Sequence, residues 1–266
     1  MLRVLTLNIL IDLQLWDWRG PAIVAALKDS SPDIIALQEV HLSPNTAQWI
    51  AERLDGYQLY LAPDSGMKLG QEGLAILSRL PVSQHIILDL GKQNRKGQVI
   101  LFSEAGEDCA LINTHLFWQA GHAPERQKQA QILLDYLAGL PAHVHQILCG
   151  DFNDTPTSPT IKLIKKKLKS AYEAKHGFEA PYTFPTPLMR AEAHQASLAA
   201  NPVLSSPFEK ETETIDYIFV SPGLEVHDVK LACDSPHPNQ PQIYPSDHYG
   251  LLAEISPKSL STQVGV

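Results

Sequence analysis

Apolar residues recur along the chain in short runs closed by Gly, Pro, Asn or Asp, with longer amphipathic stretches between some of them. The runs predict strands at 3–8, 33–38, 57–61, 73–78, 82–90, 98–103, 109–115, 146–149, 214–220, 225–232 and 249–254. The amphipathic stretches predict helices at 21–29, 45–54, 124–138 and 159–169. Pro21, Pro124 and Pro159 fall in the first turn of their predicted helices, where a missing N–H costs nothing. Strands outnumber helices too heavily for a regular βα alternation. The pattern fits two packed, partly antiparallel sheets with helices outside.

Two segments escape this pattern. Residues 181–213 are irregular and Pro-rich, with a short helix expected near their middle, and a loop of that length inside a domain is usually functional. Residues 256–266 read as a flexible tail behind one domain spanning 1–255.

Composition narrows the class. An apolar content of 44% and a charged content of 19% are those of an ordinary globular chain, here of 266 residues. No apolar run is long enough to cross a bilayer. The opening MLRVLTLNIL is broken by Asn8, with Asp12 close behind, and reads as a first strand rather than a signal peptide. A cytoplasmic, monomeric protein is the expectation. Cys109, Cys149 and Cys233 are far apart and without metal-ligand spacing, and are expected to be buried free thiols. A net charge of −8 offers polyanions no general attraction. It disfavours tight, non-specific nucleic-acid binding, yet leaves room for a nuclease whose bound cation and local basic rim draw phosphate.

The candidate chemistry sits where apolar runs end. Asn8 closes LTLN and Glu39 closes IIALQE, each a polar group at the C-terminal end of a strand, where open sheets place ligand-binding groups. Either residue is equally a cap or turn former. In ILCGDFND, Asp151 and Asn153 lie two apart, so in extended chain both face one small target such as a water or a phosphate oxygen. The alternative is an Asx-rich turn leading into the next helix. YPSDHYG places Asp247 and His248 side by side on a loop, pointing oppositely, and LINTHLF ends a strand in His115. TIDYIFV buries Asp216 in an apolar strand, where a carboxylate needs a partner. His248 suits, as does a backbone donor or a cation.

LNIL, LQEV, NTHL, GDFND, IDYIF and SDHYG, in that order, resemble the endonuclease/exonuclease/phosphatase superfamily, and EGLAILSRLPV is similar to its central hairpin. The superfamily includes DNase I-like nucleases, abasic-site endonucleases, sphingomyelinases and inositol-phosphate 5-phosphatases. The resemblance runs from Met1 to about Ile255. It implies an α/β fold, the DNase I-like four-layer α/β sandwich of two mixed sheets flanked by helices. It also implies a Mg²⁺- or Mn²⁺-dependent phosphoric ester hydrolase. Glu39 would ligate the cation, aided by Asn8 and Asp247. Asp151 would orient or deprotonate the attacking water and Asn153 would position the phosphate. His115 and His248 would donate to phosphate oxygens, and Asp216 would hold His248. Two features depart from the pattern. Thr214 stands where many members carry Arg, and NRKGQ only approximates the usual Arg-small pair before the sixth strand.

Three readings of the substrate remain. The first is a nuclease or phosphodiesterase acting on DNA or RNA, including a 5′-tyrosyl-DNA type. The second is a phosphoesterase for lipid or small-molecule head groups, similar to sphingomyelinases or inositol-phosphate phosphatases. The third is a non-catalytic phosphate-binding protein. The lysines of IKLIKKKLKS are either a solvated helix face or a phosphate-steering rim, and Trp16, Trp18, Phe117, Trp118, Tyr182 and Phe184 are either packing or base-stacking groups.

Overall fold

The protein is described from a computed structural model covering residues 1–63, 65–66, 70–188 and 212–258. Its strands are β1 (Leu2–Asn8), β2 (Ile34–His41), β3 (Gln58–Pro63), β4 (Glu72–Ser78), β5 (Val82–Asp89) and β6 (Lys96–Glu104). They continue with β7 (Glu107–His115), β8 (His145–Asp151), β9 (Lys169–Ser170), β10 (Asp216–Val220), β11 (Leu224–Ala232) and β12 (Gly250–Pro257). The helices are α1 (Trp16–Ser30), α2 (Thr46–Ala51), α3 (Ala123–Ala138), α4 (Pro159–Lys165) and α5 (Ala171–His176).

The strands form two six-stranded mixed sheets, ordered β11-β12-β1-β2-β4-β3 and β5-β6-β7-β8-β10-β9. Alternation along each strand divides its side chains between two cores. In β1, Leu2 and Val4 enter the layer between the sheets, while Leu5 and Leu7 face α1 and α2. In β8, Ile147 and Cys149 enter the same central layer, while Leu148 faces α3 and α4. The result is the expected four-layer sandwich, helix on sheet on sheet on helix.

Beneath one end of the sandwich the central layer turns polar. Buried Gln38 donates to Thr6 Oγ1 at 3.0 Å and Asn113 Oδ1 at 2.7 Å, and Asn113 donates to the Leu37 and Ala75 carbonyls at 3.0 and 3.1 Å. These amides tie the two sheets together where the apolar core stops.

Several boundaries differ from the sequence expectation. Helix α1 begins at Trp16, so Pro21 lies inside it rather than in its first turn and costs it one intrahelical bond. Burial of Ile23, Val24 and Leu27 carries the helix through this break. The lysine-rich helix stops at Lys165, and the short elements β9 and α5 follow it. Ser256 and Pro257 pair with Glu225 and Leu224 as the end of β12. The helix expected in the middle of 181–213 and the residues from 259 onward lie outside the described residues. Cys109, Cys149 and Cys233 are buried free thiols. Among the described residues, no helix is long and apolar enough to cross a membrane.

Candidate active site

Strand register builds the site. In β7, Cys109 and Leu111 face the central layer, so two steps at a time Asn113 and His115 do as well. The same parity in β8 carries Ile147 and Cys149 to Asp151, and in β10 it carries Val220 and Ile218 back to Asp216. Pairing then places His115 beside Asp151, and Asp151 beside Asp216, as direct neighbours across three strands. Asn8 is the last inward residue of β1 on the facing sheet. Gly150 permits the close approach of β7 and β8: its φ is +134°, and a Cβ there would lie 2.0 Å from the Thr114 carbonyl oxygen.

Glu39 arrives by a different route. Simple alternation in β2 would turn it outward with Ile35 and Leu37. A bulge between Leu37 and Val40 interrupts the pairing with β4, and Glu39 adopts φ +55°, which redirects its carboxylate toward Asn8. Asn8 Nδ2 donates to Glu39 Oε1 at 3.1 Å and to Asp151 Oδ2 at 3.0 Å, joining the sheets at their polar end. Asn8 Oδ1 accepts from the Leu10 N–H at 3.0 Å, which fixes the amide orientation. The Ile11 N–H holds Glu39 Oε2 at 3.0 Å.

Asp216 Oδ2 and His248 Nδ1 are 2.9 Å apart, so the buried carboxylate has the imidazole partner expected for it. His248 Nε2 then faces Asp151 Oδ2 at 3.9 Å. Asp151 and Asn153 are not extended neighbours. Asn153 has φ +50°, its N–H donates to Asp151 Oδ1 at 2.8 Å, and its Nδ2 donates to the Leu116 carbonyl at 3.1 Å. This is the Asx turn weighed above, and it orients Asp151. Asp247 lies beside the cluster, buried, and accepts from Ser246 Oγ at 3.2 Å.

Two residues join the site without having been expected there. Arg95 is 2% exposed, and its Nη1 lies 2.8 Å from His115 Nδ1 and 3.2 Å from Glu72 Oε1. A guanidinium only donates, so His115 Nδ1 is a lone pair and Nε2 carries the hydrogen, 3.5 Å from Asp151 Oδ2. Gly66 lies against Glu72 so closely that a Cβ would sit 2.0 Å from its carboxylate carbon. Glu72 had a detectable signal, since it has the inward parity of Ile76 in β4. Arg95 precedes β6 and had only the imperfect NRKGQ motif.

The electrostatics follow from burial and crowding. Burial and the Asp216 carboxylate push Asp151 up to about 7, against the pull of His248. Burial opposes the charge on His248, but Asp216, Asp247 and Asp151 outweigh it and raise the imidazole to about 10. His115 is held well below the ordinary imidazole range by burial, Arg95 and His248. Asp247 is raised by burial and by the nearby Glu39 carboxylate.

These residues fit a hard divalent cation. Asp151, Asp216 and His248 offer ligand atoms within 4.8 Å of one another, the one such group of three among the described residues. Asp216 Oδ1 is buried with no hydrogen-bond partner among the described residues, and Glu39 and Asp247 repel each other nearby. A pocket this rich in carboxylate oxygen and free of thiolate selects Mg²⁺ or Mn²⁺.

The first part of the irregular segment buttresses this cluster. Thr183 Oγ1 accepts from the Asp216 N–H at 3.2 Å, Thr186 N–H donates to the Asp247 carbonyl at 2.8 Å, and the Phe184 ring lies 4.7 Å from that of His248. Among the other aromatics, Trp16 packs on Trp49 and Phe117 is buried, while Trp18 and Trp118 are exposed. Of the lysines, Lys165 is bound to Glu173 and Glu179, and Lys169 to the Leu224 carbonyl, so both are structural.

Known proteins resemble this chain in sequence and in fold. The model of the Endonuclease/Exonuclease/phosphatase family matches residues 5–248. Nocturnin of Xenopus laevis is 28% identical over 91% of this chain and 65% of its own length. The CCR4-Not complex 3'-5'-exoribonuclease subunit Ccr4 of Candida albicans is 28% identical over 91% of this chain and 38% of its own. This chain therefore spans between about two-fifths and two-thirds of those relatives. The crystal structure of D. rerio TDP2 complexed with single strand DNA product superposes with a TM-score of 0.78 at 18% identity, covering 96% of this chain and 98% of that one. With its motifs in order on this sandwich, the chain belongs to the endonuclease/exonuclease/phosphatase family.

Proposed function

We propose that this protein is a divalent-metal-dependent phosphodiesterase that cleaves nucleic acid by attack of an activated water. The observation that carries the reading is one cluster across the open end of both sheets, in which the Asp216–His248 pair faces Asp151 at 3.9 Å and Asn8 bonds Asp151 to Glu39. Asp151, held by Asn153 and Asn8 and raised to about 7, accepts the proton of the water at neutral pH. His248 keeps its charge through Asp216 and offers Nε2–H to a phosphate oxygen. His115, neutral, offers a second donor at Nε2. Glu39 and Asp247 would hold the cation, with Asn8 beside them. When bound, the cation polarises the phosphate and offsets charge in the transition state.

Relatives named as an exoribonuclease and as a complex with a single-strand DNA product support nucleic acid as the substrate class. A panel of single-stranded DNA, RNA, 5′-tyrosyl DNA, sphingomyelin and inositol phosphates, each with Mg²⁺, Mn²⁺ or EDTA, tests this. EDTA-sensitive cleavage of a nucleic-acid substrate is expected. Turnover of sphingomyelin or inositol phosphates alone transfers the site to head-group chemistry, and no EDTA-sensitive turnover of any ester removes the enzyme reading.

A further inference from the structure

Among the described residues, the largest fully buried side chain is a charged one, Arg19, with no exposed surface. Its guanidinium is surrounded by main-chain oxygens. Nη1 donates to the Ile9 carbonyl at 2.8 Å and the Pro245 carbonyl at 3.2 Å, Nε to Gln14 at 3.2 Å, and Nη2 to Leu10 at 3.3 Å and to the Asp12 carbonyl. Every segment it binds ends in a group of the site. The loop 9–14 follows Asn8 and carries the Ile11 N–H that holds Glu39 Oε2. Pro245 lies two residues before Asp247.

That loop needs holding. Leu10 and Leu15 both have φ +57°, and Glu39 itself has φ +55°, a left-handed backbone that side chains other than Gly rarely adopt. Such conformations persist where the surroundings over-determine them. Arg19 contributes five donors of fixed fork geometry to carbonyls on both sides of Leu10, and its own N–H closes on the Leu15 carbonyl at 2.8 Å. A burial cost this large, spent on loop carbonyls beside the acidic end of the sheet, is best explained by what the loop positions.

We propose that Arg19 is a positioning residue for the metal site: it clamps loop 9–14 to the Pro245 carbonyl and thereby holds Glu39 and Asp247 at the spacing a divalent cation requires. This rests on the metal-dependent reading above. Glu39 feels the clamp through Ile11 and Asn8, and Asp247 through the chain running on from Pro245. Lysine at this position would keep the charge but lose the fork, and methionine would lose both.

The test is Mn²⁺ binding, followed by the EPR signal of the free ion, on the wild type, Arg19→Lys, Arg19→Met and Glu39→Gln, with circular dichroism and melting to verify folding. Affinity should fall in the order Arg, Lys, Met, by roughly 10–100-fold for the folded methionine variant, as for partners that orient metal ligands. Arg19→Met and Glu39→Gln combined should cost less than the sum of the two, because part of the effect of Arg19 passes through Glu39. If Arg19→Met does not fold, the lysine variant carries the comparison. Folded Arg19 variants that bind Mn²⁺ as the wild type does, or an additive double variant, overturn the proposal and leave the metal reading intact. A wild type that binds no Mn²⁺ overturns the metal reading itself.

Discussion

Asn8 and Asp151 stand on different sheets, 143 residues apart, and a 3.0 Å hydrogen bond from the Asn8 amide joins them at the mouth of the sandwich. The same amide reaches Glu39 at 3.1 Å, so one side chain spaces two carboxylates that would otherwise repel. Asn8→Ala removes that spacer without adding bulk. It should lower kcat by about 100-fold or more while the fold is retained, measured by steady-state kinetics beside circular dichroism. Activity within threefold of wild type would show that the amide has no part in positioning the base.

Asp151 pits stability against function. Burial and Asp216 raise it to about 7, so its neutral form is favoured in the folded protein. With a folded value above the unfolded one, the stabilisation is complete below about pH 4 and is lost as pH rises through 7. Asp151→Asn, which cannot ionise, should therefore melt higher than metal-free wild type at pH 8, with the gap vanishing toward pH 4. The same substitution should abolish turnover at every pH. A variant that melts no higher than wild type at pH 8 would contradict the assigned environment.

The Asp216–His248 pair predicts a separate pH response. His248 is raised to about 10, so its contribution to stability is full below about pH 6.5 and disappears as pH climbs through 10. Asp216→Asn can keep the 2.9 Å contact with Nδ1 but not the charge. It should drop the His248 pKa by NMR titration and lower kcat by about 10³–10⁴-fold. The variant's stability deficit should shrink from neutral to alkaline pH. An unchanged His248 titration would mean that Asp216 does not hold it.

How far the sequence revealed this site depends on how each residue reaches it. Asn8, His115, Asp151 and Asp216 lie in strands whose alternation is visible in the apolar pattern, and each is the terminal inward position of its run. Glu39 is marked by its place at the end of an apolar run and by its motif, but not by alternation, which the bulge that redirects it reverses. Arg19 was hidden for another reason. A helix expected to start at Pro21 places it in a loop, whereas the helix begins at Trp16 and buries its side chain. The second sheet's outer elements, β9 and α5, are too short to leave a periodic signal, and they are held by Lys165, Ser170 and Glu179 rather than by an apolar stripe.

Arg95 extends the argument from position to protonation. It lies between Glu72 and His115, 3.2 Å from the Glu72 carboxylate and 2.8 Å from His115 Nδ1, while Glu72 itself is 3.8 Å from that nitrogen. Remove Arg95, and Glu72 becomes the neighbour of Nδ1. A carboxylate accepts where a guanidinium donates, so the imidazole hydrogen should move from Nε2 to Nδ1. The nitrogen facing Asp151 and the phosphate would then be a lone pair, repelling both. Arg95→Met should show this switch in the ¹⁵N shifts of His115 at neutral pH, with kcat reduced by about 100-fold. Adding Glu72→Gln, whose amide can donate to Nδ1, should restore the Nε2–H tautomer and part of the rate. If His115 keeps its Nε2 hydrogen in folded Arg95→Met, its tautomer is set by Asp151 and not by Arg95.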